Sequence, residues 1–319
     1  MASTLCVDLG KTSCRVALLD DSADELGART GAGLPGVAAP GAPVTIAALV
    51  RALAAEVVAA RPGPAPTALG VGAAGTLTDP DAAATLARVL ADVLGLPTAV
   101  TSDVVTAHVG ALAGRPGVVL VAGTGAVALG VDATGAGRRV DGWGPELGDL
   151  GSGSWIGREG VRATLLADAG LLDPTGLSSA LPRATGGQDP VRWIAQAAHP
   201  AQALASFAPA VLDLAERGDP AAADVVRRAI AHLVATTAAA PAPSAPPAVR
   251  SGPGASGPDT SVAVLGGLVS HTWFRRRLTT ALHAAGLHPV PPASNALVGA
   301  HTVARRRDLP HERYIHRAQ

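Results

Sequence analysis

The chain has 319 residues, of which 48% are hydrophobic, 16% charged and only 2% aromatic, and its formal net charge is zero. That length implies two domains, built mainly from Ala, Val and Leu, and the lack of a basic stripe or aromatic platform excludes an obvious nucleic-acid surface. Two early cysteines, Cys6 and Cys14, exclude a disulfide scaffold or a four-cysteine metal site; without a basic N-terminal region or ~20 uninterrupted apolar residues, the chain reads as soluble and cytoplasmic.

In chain order, Leu5 to Asp8 is an apolar run, Gly10-Lys11-Thr12 is a tight polar turn, and Ser13 to Leu19 is a second apolar run. Strand, glycine turn and strand predict a β-hairpin. The turn has what a phosphate needs: Gly10 allows backbone N–H groups to approach closely, Thr12 offers a hydroxyl, and Lys11 offers a cation. Lys11 is also the only lysine in the chain. Asp8, at the end of the first strand, can hold a hydrated Mg²⁺. A Walker A loop is ruled out, because Leu5 stands where its first glycine belongs and no helix follows.

Gly27 to Pro43 reads as an irregular Gly/Pro/Ala-rich loop. Val44 to Ala60 carries helical periodicity through Ile46, Leu49, Val50, Leu53 and Val57, and Arg61-Pro62-Gly63-Pro64 ends it. A short strand, Ala68 to Gly72, a helix, Leu86 to Leu94, and a strand, Thr98 to Thr101, follow. Ser102-Asp103 then opens a helix predicted over Val104 to Ala113. Asp103 has two readings there. It is an N-cap, or it is a general base at the carboxyl end of a strand, where α/β folds bind ligands. His108 reads as a packing or surface residue.

Gly117 to Ala122 is an apolar strand that ends at Gly123-Thr124-Gly125, and Ala126 to Val131 resumes it. This repeats the opening device, and two such turns could hold a polyphosphate from both sides. Asp132 to Arg138 reads as a Gly-rich turn. Residues 141–157 contain six glycines and two tryptophans. A loop so costly to order is expected to wrap something; Trp143 could stack on a sugar and Asp149 could accept from its hydroxyls. Helical stretches follow at Gly157 to Asp168, Leu177 to Leu181, Val191 to Ala198, Gln202 to Glu216 and Pro220 to Ala239. Pro241 to Pro258 reads as a flexible Pro/Ala insertion. A last buried strand, Ser261 to Leu265, runs into Gly266-Gly267. Helices at Trp273 to Ala285 and Asn295 to Val303 come next, then a polar tail, His311 to Gln319, with no evident role.

Taken together, Asp8-Leu9-Gly10-Lys11-Thr12, Ser102-Asp103, Val121-Ala122-Gly123-Thr124-Gly125, Gly142-Trp143-Gly144 through Gly148-Asp149, and Leu265-Gly266-Gly267 resemble, in order and over residues 5 to 270, the sugar kinase, heat-shock ATPase and actin superfamily. Within it the chain is most similar to the N-acetylglucosamine kinase and glucosamine kinase branch. That branch shares its fold with activator ATPases of 2-hydroxyacyl-CoA dehydratases. The resemblance implies an α/β fold of two actin-like (ribonuclease H-like) domains with a nucleotide cleft between them. The first is expected over 1–115 and the second over 116–319, with the 241–258 insertion and a last helix that packs back toward the first domain.

The resemblance also implies ATP and Mg²⁺ as cofactors. Asp8 would orient Mg²⁺ through water. Gly10, Lys11, Thr12, Gly123, Thr124 and Gly125 would contact phosphates, and Gly266 and Gly267 would border the adenosine. Asp103 would take the proton from a sugar 6-hydroxyl, with Trp143, Gly144 and Asp149 lining the sugar. This chain departs from the family in having Lys11 where a second glycine is usual, Leu150 where Glu often follows the sugar-site Asp, and no Asn between Gly27 and Pro43. The amino sugar is thus left open between N-acetylglucosamine, glucosamine and others. The partner is a small molecule, not nucleic acid or membrane, and a homodimer is left open. Two other readings remain: a dehydratase-activating ATPase, and a non-catalytic nucleotide or sugar sensor.

Overall fold

The computed structural model describes residues 2–60, 65–241 and 261–319. The predicted helix stop at 61–64 and nearly all of the predicted insertion lie outside the described residues. In chain order the elements are β1 (Ser3–Leu9), β2 (Ser13–Asp20), β3 (Glu25–Ala32), α1 (Ala42–Ala59), β4 (Ala68–Ala73), α2 (Pro80–Leu94), β5 (Thr98–Thr101), α3 (Asp103–Ala111), β6 (Gly117–Ala122), β7 (Ala126–Val131) and β8 (Gly137–Asp141). Then come α4 (Gly153–Asp168), α5 (Gly176–Ala184), α6 (Pro190–Gln196), α7 (Pro200–Glu216), α8 (Pro220–Ala239), β9 (Ser261–Leu265), α9 (Thr272–Ala284), β10 (His288–Val290), α10 (Ala296–Arg305) and β11 (His316–Ala318). The chain divides into two units. One comprises Met1–Val119, Val131–Gly137 and Pro291–Gln319; the other comprises Leu120–Gly130 and Arg138–Val290.

The first unit holds a six-stranded sheet in the order β11-β5-β4-β1-β2-β3. β1, β4 and β5 run parallel, and β1, β2 and β3 form an antiparallel meander. Side chains alternate across a strand, and here both faces are covered. Leu5, Val7, Leu9, Cys14, Val16 and Leu18 join a buried cluster with Ile46, Val50, Leu86 and Leu90 of α1 and α2. Cys6, Ala17 and Leu19 point the other way, against Leu297 and Ala300 of α10. α1 has the length and composition of a membrane span, but its Ile46, Val50, Leu53 and Val57 face is buried in this core. α10 meets its neighbours backbone to backbone: a Cβ at Gly299 would strike the Thr106 carbonyl of α3, and one at Gly70 in β4 would strike the Ala300 carbonyl.

The second unit holds a five-stranded sheet, β10-β9-β6-β7-β8, and six helices, α4 to α9. Three helices of the molecule, α2, α6 and α8, start the same way. Asp79, Asp189 and Asp219 accept from the N–H of Ala82, Arg192 and Ala222, and a proline follows each cap. The carboxylate satisfies an orphan donor, and proline supplies a helical φ where no N–H is needed.

Several elements differ from the sequence expectation. Part of the predicted loop Gly27 to Pro43 is the edge strand β3, paired in register with β2. Its Gly, Ala and Arg content carries no alternation, so pairing rather than propensity forms it. The predicted Asp132 to Arg138 turn ends where β8 begins, at Gly137. β10, only three residues long, gives no sequence signal. The polar tail contains a 3-10 helix at Pro310–Tyr314 and β11, which pairs antiparallel with β5.

Candidate active site

In the first unit, the β1–β2 turn is closed by the Gly10 N–H donating to the Ser13 carbonyl at 2.9 Å. Gly33, just past β3, donates its N–H to the Thr12 carbonyl at 3.1 Å. A Cβ at Gly33 would collide with the Lys11 backbone, so only glycine lets this segment brace the turn. Lys11 and Thr12 are exposed. No feature of the sequence marked Gly33, because the contact depends on β3.

Asp8 lies on the Cys6 face of β1, one pleat further along. The sheet register aligns Asp8 with Gly72 of β4, and Gly72 with Thr101 of β5. Three parallel strands therefore end together, and Asp103 follows Thr101 by two residues. A Cβ at Gly72 would strike the Thr106 hydroxyl, so glycine lets α3 settle against this row. Asp103 is the first residue of α3, and the cap position belongs to Ser102. The helix starts one residue earlier than expected, which removes the N-cap reading. The Asp103 carboxylate accepts from the Ser102 hydroxyl and from the Val104 N–H, each at 2.8 Å. Burial pushes the Asp8 carboxyl up to about 6; the nearby Asp103 charge pushes the same way and Arg15 opposes.

A carboxylate held this way suits a hard divalent cation, which would stabilise its charged form. Among the described residues no group of three or more His, Cys, Asp or Glu could cage a metal. The two thiols are unsuited to metal: Cys6 and Cys14 are unpaired and buried, and burial pushes both thiols up, Cys14 to about 11.

In the second unit, the Gly123-Thr124-Gly125 turn joins β6 to β7, and the 141–157 segment encases it. Gly142 N–H donates to the Ala126 carbonyl at 3.0 Å, Gly153 N–H to the Gly123 carbonyl at 2.8 Å, and Ser154 N–H to the Thr124 carbonyl at 3.1 Å. Ala126 N–H donates to the Asp149 carboxylate at 3.2 Å, and a Cβ at Gly125 would touch that carboxylate. Asp149 thus lies against the Gly123-Thr124-Gly125 turn. Asp141, a buried residue, holds the segment in shape: its carboxylate accepts from Asp149 N–H at 2.7 Å and from Leu150 N–H at 2.9 Å. Asp141 and Asp149 both adopt positive φ, 64° and 54°. Sequence reasoning included Asp141 in the loop but gave it no role; an acidic residue directly before Gly-Trp-Gly was its only signal.

Trp143 is 56% exposed, its ring edge packed over Gly148. Gly144 is buried and accepts from Gly148 N–H at 2.8 Å, so it shapes the loop. The second tryptophan, Trp155, is a core residue, edge-on to His232 and beneath Arg228. Gly266, at φ 109°, abuts the Ala122 backbone, and Gly266 and Gly267 are exposed beside the turn. The second unit therefore brings Gly123, Thr124, Gly125, Asp149, Gly266 and Gly267 together; the first brings Asp8, Gly10, Lys11, Thr12 and Asp103 together.

The model of the BadF/BadG/BcrA/BcrD ATPase family matches residues 5–300. An N-acetyl-D-glucosamine kinase of Dictyostelium discoideum is 35% identical over 107 residues, covering 32% of this chain and 34% of that protein. The match thus spans about a third of the relative's length. Among solved structures, a candidate N-acetylglucosamine kinase from Chromobacterium violaceum is similar with a TM-score of 0.71 at 23% identity, covering 95% of this chain and 99% of the other. A candidate N-acetylglucosamine kinase from Porphyromonas gingivalis gives a TM-score of 0.72 at 19% identity, with coverages of 95% and 98%. The shared fold is the α/β, actin-like fold of two domains.

Proposed function

This chain belongs to the BadF/BadG/BcrA/BcrD ATPase family, and from that premise we propose that it is an ATP-dependent amino-sugar kinase acting in the cytoplasm. It transfers the γ-phosphoryl group of ATP to the 6-hydroxyl of N-acetylglucosamine or glucosamine. One observation carries the reading: Asp8 on β1 and Asp103 just past β5 stand at the same end of a parallel set, on either side of β4, and a glycine-threonine turn follows β1. Phosphoryl transfer needs positioning and charge stabilisation more than covalent chemistry. That pair of carboxylates divides the work.

Asp103 accepts the proton of the attacking hydroxyl on its carboxylate. Its bonds from Ser102 and Val104 fix the carboxylate's orientation. Asp8 would hold Mg²⁺ through water, and the ion would supply neutralisation of phosphate charge. Gly10, Lys11 and Thr12 in the first unit, and Gly123, Thr124 and Gly125 in the second, each offer backbone and hydroxyl donors suited to phosphate. Gly266 and Gly267 border the adenosine, where the lack of side chains leaves room for a flat ring. Trp143, Gly144 and Asp149 serve the sugar. Two buried, unpaired cysteines suit a reducing compartment.

The test is an ADP-release assay with MgATP across glucosamine, N-acetylglucosamine, glucose and N-acetylmannosamine. Turnover stimulated by an amino sugar is the expected result. No stimulation by any of the four would overturn the reading.

A further inference from the structure

The polar tail had no evident role in the sequence. In the structure it holds the chain on both sides of Asp103. Before Asp103, β11 pairs with β5, matching His316 with Val100, Arg317 with Ala99 and Ala318 with Thr98. The Thr101 hydroxyl donates to the Tyr314 carbonyl at 2.7 Å. After Asp103, His108 on α3 meets His311 in the tail, with Nε2 of His311 2.8 Å from Nδ1 of His108. Further bonds fix the tail itself. Tyr314 donates its hydroxyl to the Gly135 carbonyl at 3.1 Å, and Arg317 donates to Glu312 and to the Val303 and Arg306 carbonyls.

The histidine pair has a single consistent proton arrangement. His108 Nε2 lies 3.0 Å from the Gly117 carbonyl, which can only accept, so this nitrogen carries the proton. Nδ1 of neutral His108 is then an acceptor, and His311 must donate from Nε2. That leaves His311 Nδ1 as a buried acceptor with no partner among the described residues. Both rings are fully buried. An added proton goes either to that orphan nitrogen or to His108 Nδ1, where two donors would then face each other. Either way a charge is buried.

The charged groups around the pair do not offset it. On α3 the other titratable group is Asp103, at the far end of the helix. In the tail, Glu312 is engaged by Arg317. In the 131–137 segment, Asp132 accepts from Thr134 and Ala136. At the end of α10, Arg306 pairs with Asp308 and Arg305 with Asp21, and His301 is itself held below its usual range by burial. Among the described residues no carboxylate lies within ion-pair distance of either ring.

We infer that residues 310–318 form a strap that positions Asp103, and that the buried His108–His311 pair is its proton-operated latch. The positioning role rests on the kinase reading; the latch does not. Burial holds His108 at about 4 and His311 at about 3, with the neighbouring ring adding to the effect on His311. The unfolded histidines titrate near 6.5. The latch therefore contributes stability above that value and loses it as pH falls toward 4.

Tyr314 is the only tyrosine in the chain, so ¹³C-tyrosine labelling of the whole protein reports on the strap alone by NMR. On acidification the Tyr314 ring signal should move to its random-coil position before the far-UV circular dichroism changes. His311→Gln should shift that release to lower pH. A Tyr314 signal that stays native until global unfolding overturns the latch. At neutral pH, His311→Ala should release the strap and lower kcat about tenfold, with KM for sugar and ATP changed less than about twofold. Thr101→Val, the milder variant, should lower kcat in the same direction. A released Tyr314 signal with wild-type kcat overturns the positioning role. Wild-type protein with no sugar-stimulated turnover sinks the kinase reading and the positioning role together, while the Tyr314 titration still decides the latch.

Discussion

The two glycine-threonine turns are built from the same local sequence device and supported in different ways. Gly10-Lys11-Thr12 stands exposed at a strand end and is braced from outside by one residue, Gly33. Gly123-Thr124-Gly125 is encased by the 141–157 segment, which contributes three backbone donors and the Asp149 carboxylate, all held in shape by Asp141. A turn with few supports is vulnerable at one contact. A turn with many supports is vulnerable wherever their shared anchor lies. The first unit's turn also adjoins the two carboxylates proposed for the chemistry, whereas the second unit's adjoins backbone donors and Asp149, proposed for sugar binding. Damage to the first should therefore appear mainly in turnover, and damage to the second mainly in folding and nucleotide affinity.

The largest effect expected from this contrast is at Asp103. Asp103→Asn keeps the size of the side chain and an oxygen acceptor but removes the base. Turnover should fall ~10²–10⁴-fold, the usual contribution of a positioned general base, while ATP binding measured by calorimetry stays near wild type. A kcat close to wild type would remove Asp103 from the mechanism. Next comes Asp141→Ala in the second unit. It leaves two half-buried backbone donors, of Asp149 and Leu150, without their acceptor. Unsatisfied donors of this kind, once bonded to a charged group, cost about 2–5 kcal/mol together. Urea unfolding should show a loss of that size, with Asp141→Asn intermediate. Gly33→Ala is the corresponding break in the first unit. Its Cβ collides with the Lys11 backbone, and an overpacking cost of about 1–3 kcal/mol is expected. Turnover should fall more than in a matched surface variant, with KM for ATP changed less. Equal stability losses in Asp141→Ala and Gly33→Ala would mean that the two turns are supported alike.

The sequence made some of this plain because its signals are local. Both turns, β1, β2, β6 and β7, and the helices begun by Asp–Pro or by apolar periodicity depend on neighbours within a few residues. What escaped depends on distant partners. β3 exists because β2 offers it a ladder, and β11 because β5 has an open edge. Asp103 looked like a cap because capping and a strand-end carboxylate share one sequence pattern; the helix start at Asp103 itself, with Ser102 in the cap position, separates them. In the sequence His108 reads as a packing or surface residue. It is packing, but against a residue 203 positions away, a separation that no periodicity could reveal. Asp141 carries the same lesson in the second unit, since its partners eight and nine residues on lie across a glycine-rich bend.

The smallest stability effect expected is also the one that distinguishes function from stability within the first unit. Burial and the Asp103 charge raise Asp8 to about 6 from an ordinary value of 3.8. Between those values the native protein binds a proton that the unfolded chain does not, so Asp8 makes the protein more stable as pH falls through that window. Above pH 6 it is a charged group in a place that disfavours charge. The histidine latch has the opposite sign over the same range, because its native forms bind fewer protons than the unfolded chain. The raw stability profile therefore mixes the two, and only the difference between wild type and Asp8→Asn isolates Asp8. That difference should favour the variant at neutral pH and shrink toward zero as pH approaches 4, measured by urea unfolding at each pH. Mg²⁺-dependent turnover should be lost in Asp8→Asn at every pH. A variant that is no more stable than wild type at neutral pH would mean that Asp8 carries no burden from its charge, and the case for a cation-binding carboxylate at the end of β1 would lose its physical support.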